Sequence, residues 1–242
     1  MLIYSHRGYS GRYPENTMLA FRKAVEAGTD AIELDVHLSK DSHVMIIHDE
    51  SLERTAGVSS FVFEKTRSEL ESISAGKTQN EIYGFTPIPS FEEYLEYIRN
   101  TDVITNIELK TAPVYYPGIE EKVFRMVEDA GCSDKVIYSS FNWLSVMRMK
   151  QIDPSVKAGL LFESLKLHNI APLIKDTGFD AYHPDFRLVD EKTASELRKN
   201  GVALNVWTVN EEEDIKRMIS LQVDGIITNY PDRVLSHMEN QS

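Results

Sequence analysis

The chain has little cysteine, a deficit of positive charge and no long apolar run. Cys132 is the single cysteine among 242 residues, which excludes an intramolecular disulfide and a cysteine-based zinc cluster and favours a reducing compartment. The formal net charge of −12 argues against nonspecific binding to nucleic acid or to an anionic membrane. No apolar run reaches membrane-spanning length, and no basic segment precedes an apolar one at the N-terminus. We therefore expect a cytoplasmic protein without stable membrane insertion.

Apolar segments of strand character recur along the whole chain and alternate mostly with helical patterns. The eight predicted barrel strands are 2–6, 31–37, 103–110, 136–140, 156–161, 179–183, 202–208 and 225–228. Eight such units predict a (β/α)8 TIM-type barrel, a fold of typically about 250 residues. The alternative is a doubly wound open sheet, which is less favoured because no glycine-rich phosphate loop follows the first strand.

We predict one barrel domain over residues 1–242, with a short insertion at about 50–89, where periodicity is weak and Gly and Pro interrupt the chain. Side-chain caps are predicted at several helix starts, including the following three. Ser90 and Asn210 each begin a capping-box pattern, and Asn16 or Thr17 precedes the first helix.

The segment 31–37 has a charged face and an apolar face. Side chains alternate along a strand, so Glu33 and Asp35 share one face and the aliphatic residues between them share the other. A second apolar segment, 43–48, follows after a turn that is too short for a parallel crossover. The two segments therefore predict an antiparallel hairpin, which returns His48 to the carboxylates.

Other polar side chains also stand where predicted strands end. In a (β/α)8 barrel these carboxyl ends meet at the face that carries the active site. The residues at this face are predicted to be His6, Arg7, Glu33, Asp35, Glu108, Lys110, His183 and Trp207. Charges of both signs therefore converge at one end of the barrel.

The acidic residues among them form a candidate metal site. Glu33, Asp35 and Glu108 offer hard oxygen ligands, which suit one divalent cation, Mg²⁺ or Ca²⁺. Acidic pairs two residues apart are also common on solvated strand edges. Here the apolar neighbours indicate buried strands, where unpaired carboxylates are costly.

The histidines and cations supply the remaining chemistry. His6 and His48 are candidates for acid–base catalysis, because imidazole has an unperturbed pKa of about 6.5. Arg7 and Lys110 are suited to hold an anionic group such as a phosphate, to pair with the carboxylates, or to do both. We also expect His183 and Trp207 to contact the substrate from the same end of the barrel.

Ordered motifs along the chain resemble the signature of the glycerophosphodiester phosphodiesterases. They are His6-Arg7-Gly8, Pro14-Glu15-Asn16-Thr17, Glu33-Leu34-Asp35-Val36, His48-Asp49, Arg54-Thr55, Glu108-Leu109-Lys110, Trp207-Thr208-Val209-Asn210 and Asp224-Gly225-Ile226-Ile227-Thr228-Asn229-Tyr230-Pro231. The resemblance implies a barrel with an insertion and the metal-dependent hydrolysis of glycerophosphodiesters to glycerol 3-phosphate and an alcohol.

The resemblance also implies a role for each matched residue. Glu33, Asp35 and Glu108 would bind the divalent cation, and Arg7 and Lys110 would engage the phosphate. The two histidines, His6 and His48, would exchange protons while the substrate's own glycerol hydroxyl attacks phosphorus and water later opens the cyclic phosphate.

Two alternative functions stay open. A phospholipase D-like enzyme would act on lysophospholipids with the same residues, and apolar residues of the insertion such as Phe61 and Phe85 would then line an acyl site. A non-catalytic barrel would only bind glycerophosphate, but it has no use for a full acid–base set. Head group, choice of metal and oligomeric state are not determined by the sequence.

Overall fold

The computed structural model describes residues 1–77 and 80–239, and a closed barrel of parallel strands forms its centre. The strands in these ranges are β1 (Leu2–His6), β2 (Ala31–Leu38), β3 (Val44–Ile46), β4 (Ile104–Leu109), β5 (Val136–Ser140), β6 (Lys157–Phe162), β7 (Ala181–Pro184), β8 (Ala203–Val206) and β9 (Gly225–Thr228). β1 pairs with both β2 and β9 and closes the barrel. β3 pairs antiparallel with β2 as a hairpin arm outside it.

Helices surround the barrel and connect its strands. Within the described ranges they are α1 (Met18–Glu26), α2 (Glu53–Ala56), α3 (Arg67–Glu71), α4 (Asn80–Tyr83), α5 (Phe91–Ile98), α6 (Ile119–Asp129), α7 (Trp143–Ile152), α8 (Ile170–Asp176), α9 (Glu191–Lys199), α10 (Glu212–Ser220) and α11 (Pro231–Glu239). The predicted (β/α)8 barrel is confirmed, and each predicted barrel strand matches an observed one to within two residues at either end. None of the helices described is both long enough and apolar enough to cross a membrane.

The alternation predicted for the acidic strands is present in β2 and β4. Ile32, Leu34 and Ile107 are fully buried in the layer between barrel and helices, where they join a core that includes Phe21 and Phe91. Burying each such side chain stabilises the fold by about 1.5–3 kcal/mol relative to leaving it exposed. The apolar face of each strand thereby fixes which way the intervening carboxylates point, namely into the barrel.

The barrel interior also contains a polar pair that two glycines accommodate. A Cβ atom on Gly159 would lie 2.6 Å from His183 Nε2, and one on Gly225 would lie 2.4 Å from Asn205 Oδ1. In the space that these glycines leave, Asn205 Nδ2 donates a hydrogen bond of 3.0 Å to His183 Nε2. Burial lowers the pKa of His183 from 6.5 to about 4, so this ring is neutral at pH 7.

Of these three caps, two are observed and one is wrong. Thr17 Oγ1 accepts from the Ala20 N–H at 3.2 Å and caps α1, and Ser90 caps α5. Asn210 does not cap α10, because Glu211 occupies that position. The Asn210 Oδ1 atom instead accepts from the Asn229 N–H at 2.9 Å, and so serves the end of β9.

The predicted insertion at 50–89 contains the short helices α2 to α4, and its residues 78 and 79 lie outside the described residues. The segment packs on the hairpin arm through a small apolar cluster of its own. That cluster consists of Met45, Ile47, Leu52, Val62, Leu70, Ala75 and Ile88. The division into one domain with an insertion stays a prediction.

The buried His183 gives the stability of the fold a pH dependence. Its pKa is about 4 in the folded chain against 6.5 for the ordinary group. As the pH falls through this window, the unfolded chain binds the proton first, so folded-state stability is lost. We expect His183→Gln to reduce the slope of the free energy of unfolding against pH by up to about 1.4 kcal/mol per pH unit. Urea unfolding at a series of pH values measures this slope, and an unchanged slope would contradict the assignment.

Candidate active site

A cavity of about 340 Å³ opens at the end of the barrel where the parallel strands terminate. Its charged and aromatic lining includes His6, Arg7, Glu33, His48, Glu108, Lys110, Phe141 and Trp207. Asp35, a further predicted site residue, is fully buried beside this cavity and contacts both cations of its wall. The side chain of His183 lies instead inside the barrel, and the described lining does not include it.

Three carboxylates meet at the inner edge of the cavity. Glu33, Asp35 and Glu108 each offer one oxygen, and these oxygens lie within 4.8 Å of one another. Burial, reinforced by the charges of Asp35 and Glu108, raises the pKa of Glu33 well above its usual value. The Oδ1 atom of Asp35 is buried without a hydrogen-bond partner in the described structure. Three converging oxygens, mutual repulsion and an unsatisfied acceptor fit a divalent cation.

Residues of the first loop hold two of these carboxylates in place. Asn16 Nδ2 donates to Asp35 Oδ2 at 2.8 Å, and the Arg7 backbone N–H donates to Glu33 Oε2 at 3.0 Å. Arg7 has a φ of +56°, a conformation that costs a non-glycine residue about 1–3 kcal/mol and persists only where surrounding contacts offset it. The bond to Glu33 is one such contact.

His48 lies between a carboxylate and an ammonium group. Its Nδ1 is 2.5 Å from Asp49 Oδ1, and its Nε2 is 3.2 Å from Lys110 Nζ. Because Asp49 can only accept and Lys110 can only donate, the ring carries its proton on Nδ1 and leaves an Nε2 lone pair. Lys110 Nζ also donates to Glu108 Oε1 at 2.8 Å. The predicted return of His48 by the hairpin is therefore observed.

His6 has a different kind of partner. Its Nδ1 is 2.6 Å from Asn229 Oδ1, a neutral acceptor that fixes the proton on Nδ1. Burial, with the neighbouring charge of Arg7, lowers the pKa of His6 to about 3, although the hydrogen bond to Asn229 acts in the opposite direction. The ring is neutral at pH 7, and its Nε2 lies 3.9 Å from Glu33 Oε2.

Two cations lie beside the acidic cluster. Arg7 Nε is 3.4 Å from Asp35 Oδ2, and Lys110 Nζ is 3.7 Å from Asp35 Oδ1. Burial lowers the pKa of Lys110, but the charges of Glu108 and Asp35 outweigh it and the net shift is upward. Both groups therefore stay positively charged on the cavity wall.

Trp207 forms an aromatic part of the same wall. Its indole Nε1–H donates to the backbone carbonyl of His183 at 2.7 Å, and its ring meets Phe141 edge-on at 5.5 Å. These two contacts fix the indole beside the cavity. His183 is thus connected to the site through its carbonyl group, while its imidazole is bound to Asn205.

Sequence reasoning assigned no chemical role to several residues that the site uses. Asn16, Asp49 and Asn229 each hold a proposed catalytic or metal-binding side chain by a direct hydrogen bond. All three belong to the motifs that resemble the family signature, and this membership was the sequence signal that could have identified them. Asn106 lines the cavity, and its position two residues before Glu108 placed it on the same strand face.

Comparison with known proteins yields matches over most of the chain. Residues 6–233 match the model of the "Glycerophosphoryl diester phosphodiesterase family". A glycerophosphodiester phosphodiesterase of Caldanaerobacter subterraneus subsp. tengcongensis is 39% identical over 97% of this chain and 96% of its own. One from Bacillus altitudinis is 38% identical over 98% of each chain. An Oleispira antarctica phosphodiesterase, solved with its product sn-glycerol-3-phosphate, has a TM-score of 0.90 at 24% identity and covers 99% of this chain and 97% of its own.

The raised pKa of Glu33 predicts that a divalent cation bound at this carboxylate, with Mg²⁺ as the test ion, would displace a proton. Because the cation requires the ionised carboxylate, we expect the affinity to weaken as the pH falls through this raised pKa, by up to about tenfold per pH unit. Calorimetric titration in buffers of different ionisation enthalpy measures the released proton. Glu33→Gln should lower both affinity and proton release, whereas Glu213→Gln, at an exposed position of α10, should change neither. Equal proton release by Glu33→Gln and the parent would contradict this.

Proposed function

The chain belongs to the glycerophosphoryl diester phosphodiesterase family and is an enzyme of that class, and from this premise we propose which of its residues perform the reaction. Glycerophosphodiesters are hydrolysed to glycerol 3-phosphate and an alcohol. We assign the proton transfers to His6 and His48, the phosphate contacts to Arg7 and Lys110, and the binding of one divalent cation, Mg²⁺ or Ca²⁺, to the acidic triad.

One observation carries this assignment. His6 and His48 line a single cavity, and each ring has its Nδ1 bound by an acceptor and its Nε2 free of a proton. Between them lie the carboxylates of the acidic triad and the cations of the cavity wall. An in-line displacement at phosphorus needs this combination, because one oxygen loses a proton while another gains one and negative charge accumulates on the phosphoryl group.

The phosphate has a charged place to bind. Arg7 and Lys110 each contact a different carboxylate oxygen of Asp35. This arrangement supports the proposal that a phosphate is bound between the guanidinium and the ammonium group. Glu33, Asp35 and Glu108 would hold the divalent cation, which supplies charge neutralisation to the phosphoryl oxygens. Trp207 would supply an apolar wall beside the substrate, with His183 supporting it from the barrel interior through its carbonyl group.

The two histidines differ in the residue that binds Nδ1, which is the neutral Asn229 for His6 and the carboxylate of Asp49 for His48. His6 pairs with the neutral Asn229, and its lowered pKa keeps the ring neutral at pH 7 with an available Nε2 lone pair, so we assign it to accept the proton of the attacking glycerol hydroxyl. His48 pairs with the carboxylate of Asp49 through Nδ1, so we assign it the other transfer: its unprotonated Nε2 takes up a proton from solvent before the reaction and donates that proton to the departing alkoxide. Cyclic phosphate and free alcohol result from this first half.

The second half reverses the proton transfers. His48, now neutral, accepts a proton from the attacking water, and His6 returns its proton to the glycerol oxygen as the cyclic phosphate opens. Both rings then regain their starting state, and the products are glycerol 3-phosphate and the alcohol. We retain the cytoplasm as the proposed compartment, on the sequence argument from the single cysteine.

Removing either ring tests the assignment. We expect His6→Ala and His48→Ala each to lower kcat for glycerophosphocholine by about 10²–10⁴-fold, since this is the usual contribution of general acid–base catalysis. Release of glycerol 3-phosphate measures turnover, and circular dichroism checks the fold. EDTA should stop the parent enzyme, and added Mg²⁺ should restore it.

The expected control is His237→Ala, which replaces a histidine of α11 away from the cavity lining and should retain the parent rate. Parent-like turnover by either His6→Ala or His48→Ala would refute its catalytic role. Binding of glycerol 3-phosphate without any turnover by the parent would favour a non-catalytic barrel instead.

A further inference from the structure

Arg54, near the N-terminal end of the insertion, bridges two carboxylates that belong to the site. Its Nε and Nη2 donate to the two oxygens of Asp49 at 2.6 and 3.1 Å. Its Nη1 and Nη2 donate to the two oxygens of Glu15 at 2.9 and 2.7 Å. Glu15 Oε1 also accepts from Arg7 Nη1 at 3.0 Å, and Asp49 Oδ1 is the acceptor for His48 Nδ1.

These contacts form a continuous chain of alternating charge from Arg7 through Glu15, Arg54 and Asp49 to His48. We propose that Arg54 is a positioning residue of the reaction. Its hydrogen bonds to both carboxylates fix the orientation of the Asp49–His48 pair and connect that pair to Arg7 through Glu15. The inference rests on the function proposed above, which assigns proton transfer to His48 and phosphate binding to Arg7.

The geometry of Arg54 distinguishes positioning from direct contact with substrate. Its side chain is 47% exposed, yet four hydrogen bonds aim its guanidinium at Asp49 and Glu15, and the described cavity lining does not include it. A planar guanidinium can donate paired hydrogen bonds to two carboxylates at once. A lysine ammonium lacks this fixed planar arrangement of donors.

Folding alone gives little reason for such a network. Exposed ion pairs contribute about 0–1 kcal/mol, and the insertion already has a buried apolar cluster that holds it to the hairpin arm. Arg54 belongs to α2. Leu52, just before this helix, and Thr55 within it are buried, and the Thr55 carbonyl accepts from the Lys77 N–H at 2.8 Å. The helix is therefore held in place by neighbours of Arg54, and the guanidinium is not needed for this purpose.

The electrostatics support the same role. Burial raises the pKa of Asp49, but hydrogen bonds from His48 and Arg54 outweigh it and hold that pKa well below its usual range. Asp49 therefore remains an ionised acceptor throughout the neutral range. Without Arg54 its carboxylate would be free to rotate away from the ring, and His48 would lose the bond that keeps its proton on Nδ1.

Steady-state kinetics on glycerophosphocholine with saturating Mg²⁺ test the inference. We expect Arg54→Gln to lower kcat by about 10–100-fold, the usual cost of losing a residue that orients a reacting group, with KM changed by less than about threefold. Arg54→Lys should recover only part of the loss. The matched control is Arg67→Gln, because Arg67 lies in the same insertion and pairs with Glu71 and Glu92. It should retain the parent kcat.

A double-variant comparison separates positioning from substrate contact. If Arg54 acts through Asp49, then Arg54→Gln should add less than about a twofold loss in an Asp49→Asn background, since coupled residues are not additive. A full additional loss, or a loss that appears in KM alone, would overturn the proposal.

The ring nitrogens give a readout that does not depend on turnover. In nitrogen-detected NMR of the histidine rings, we expect the parent to hold the His48 proton on Nδ1 and Arg54→Gln to show a mixture of tautomers. An unchanged His48 spectrum in folded Arg54→Gln would overturn the proposal. If the parent failed to hydrolyse glycerophosphodiesters, the proposed function would fail, while the NMR comparison would still decide the role of Arg54.

Discussion

The repulsion among three buried carboxylates is the constraint on which the rest of this site depends. Glu33, Asp35 and Glu108 converge within 4.8 Å because their strands are adjacent and because the apolar face of each strand packs against the helices. The chain offsets this charge only in part, through Arg7 and Lys110. The negative charge that remains is what a divalent cation would offset. Once bound, that cation would attract an anionic phosphodiester together with Arg7 and Lys110.

The surrounding structure maintains this arrangement through contacts made by loops and the hairpin arm. The first loop supplies Asn16 to Asp35 and the Arg7 N–H to Glu33. The hairpin supplies His48 without using a barrel strand, and Asn229 after β9 supplies the partner of His6. Asn210, in turn, supports the backbone of Asn229. Strands thus position the acidic groups, and residues outside the strands, Asn229 and Asp49, bind the Nδ1 atoms of the two histidines.

The succession of eight strand and helix units was sufficient to predict the barrel. Alternation along β2 and β4 predicted the acidic cluster, and the brevity of the turn at 40–42 predicted the return of His48. These features follow from local geometry, since a strand has only two faces and a short turn permits only antiparallel pairing. The partners of polar side chains do not follow from local geometry. Asn210 has the spacing of a capping box, yet its oxygen binds the backbone after β9, and nothing near Arg54 in the sequence indicates that it contacts Glu15. Such choices depend on which loops meet in space.

A crystal structure with Mg²⁺ and glycerol 3-phosphate would test the central claim most directly. The charge argument predicts one cation in contact with carboxylate oxygens of Glu33, Asp35 and Glu108, and a phosphate in contact with Arg7 and Lys110. A cation bound elsewhere, or a phosphate bound away from both basic residues while the acidic triad stays without a metal, would contradict it.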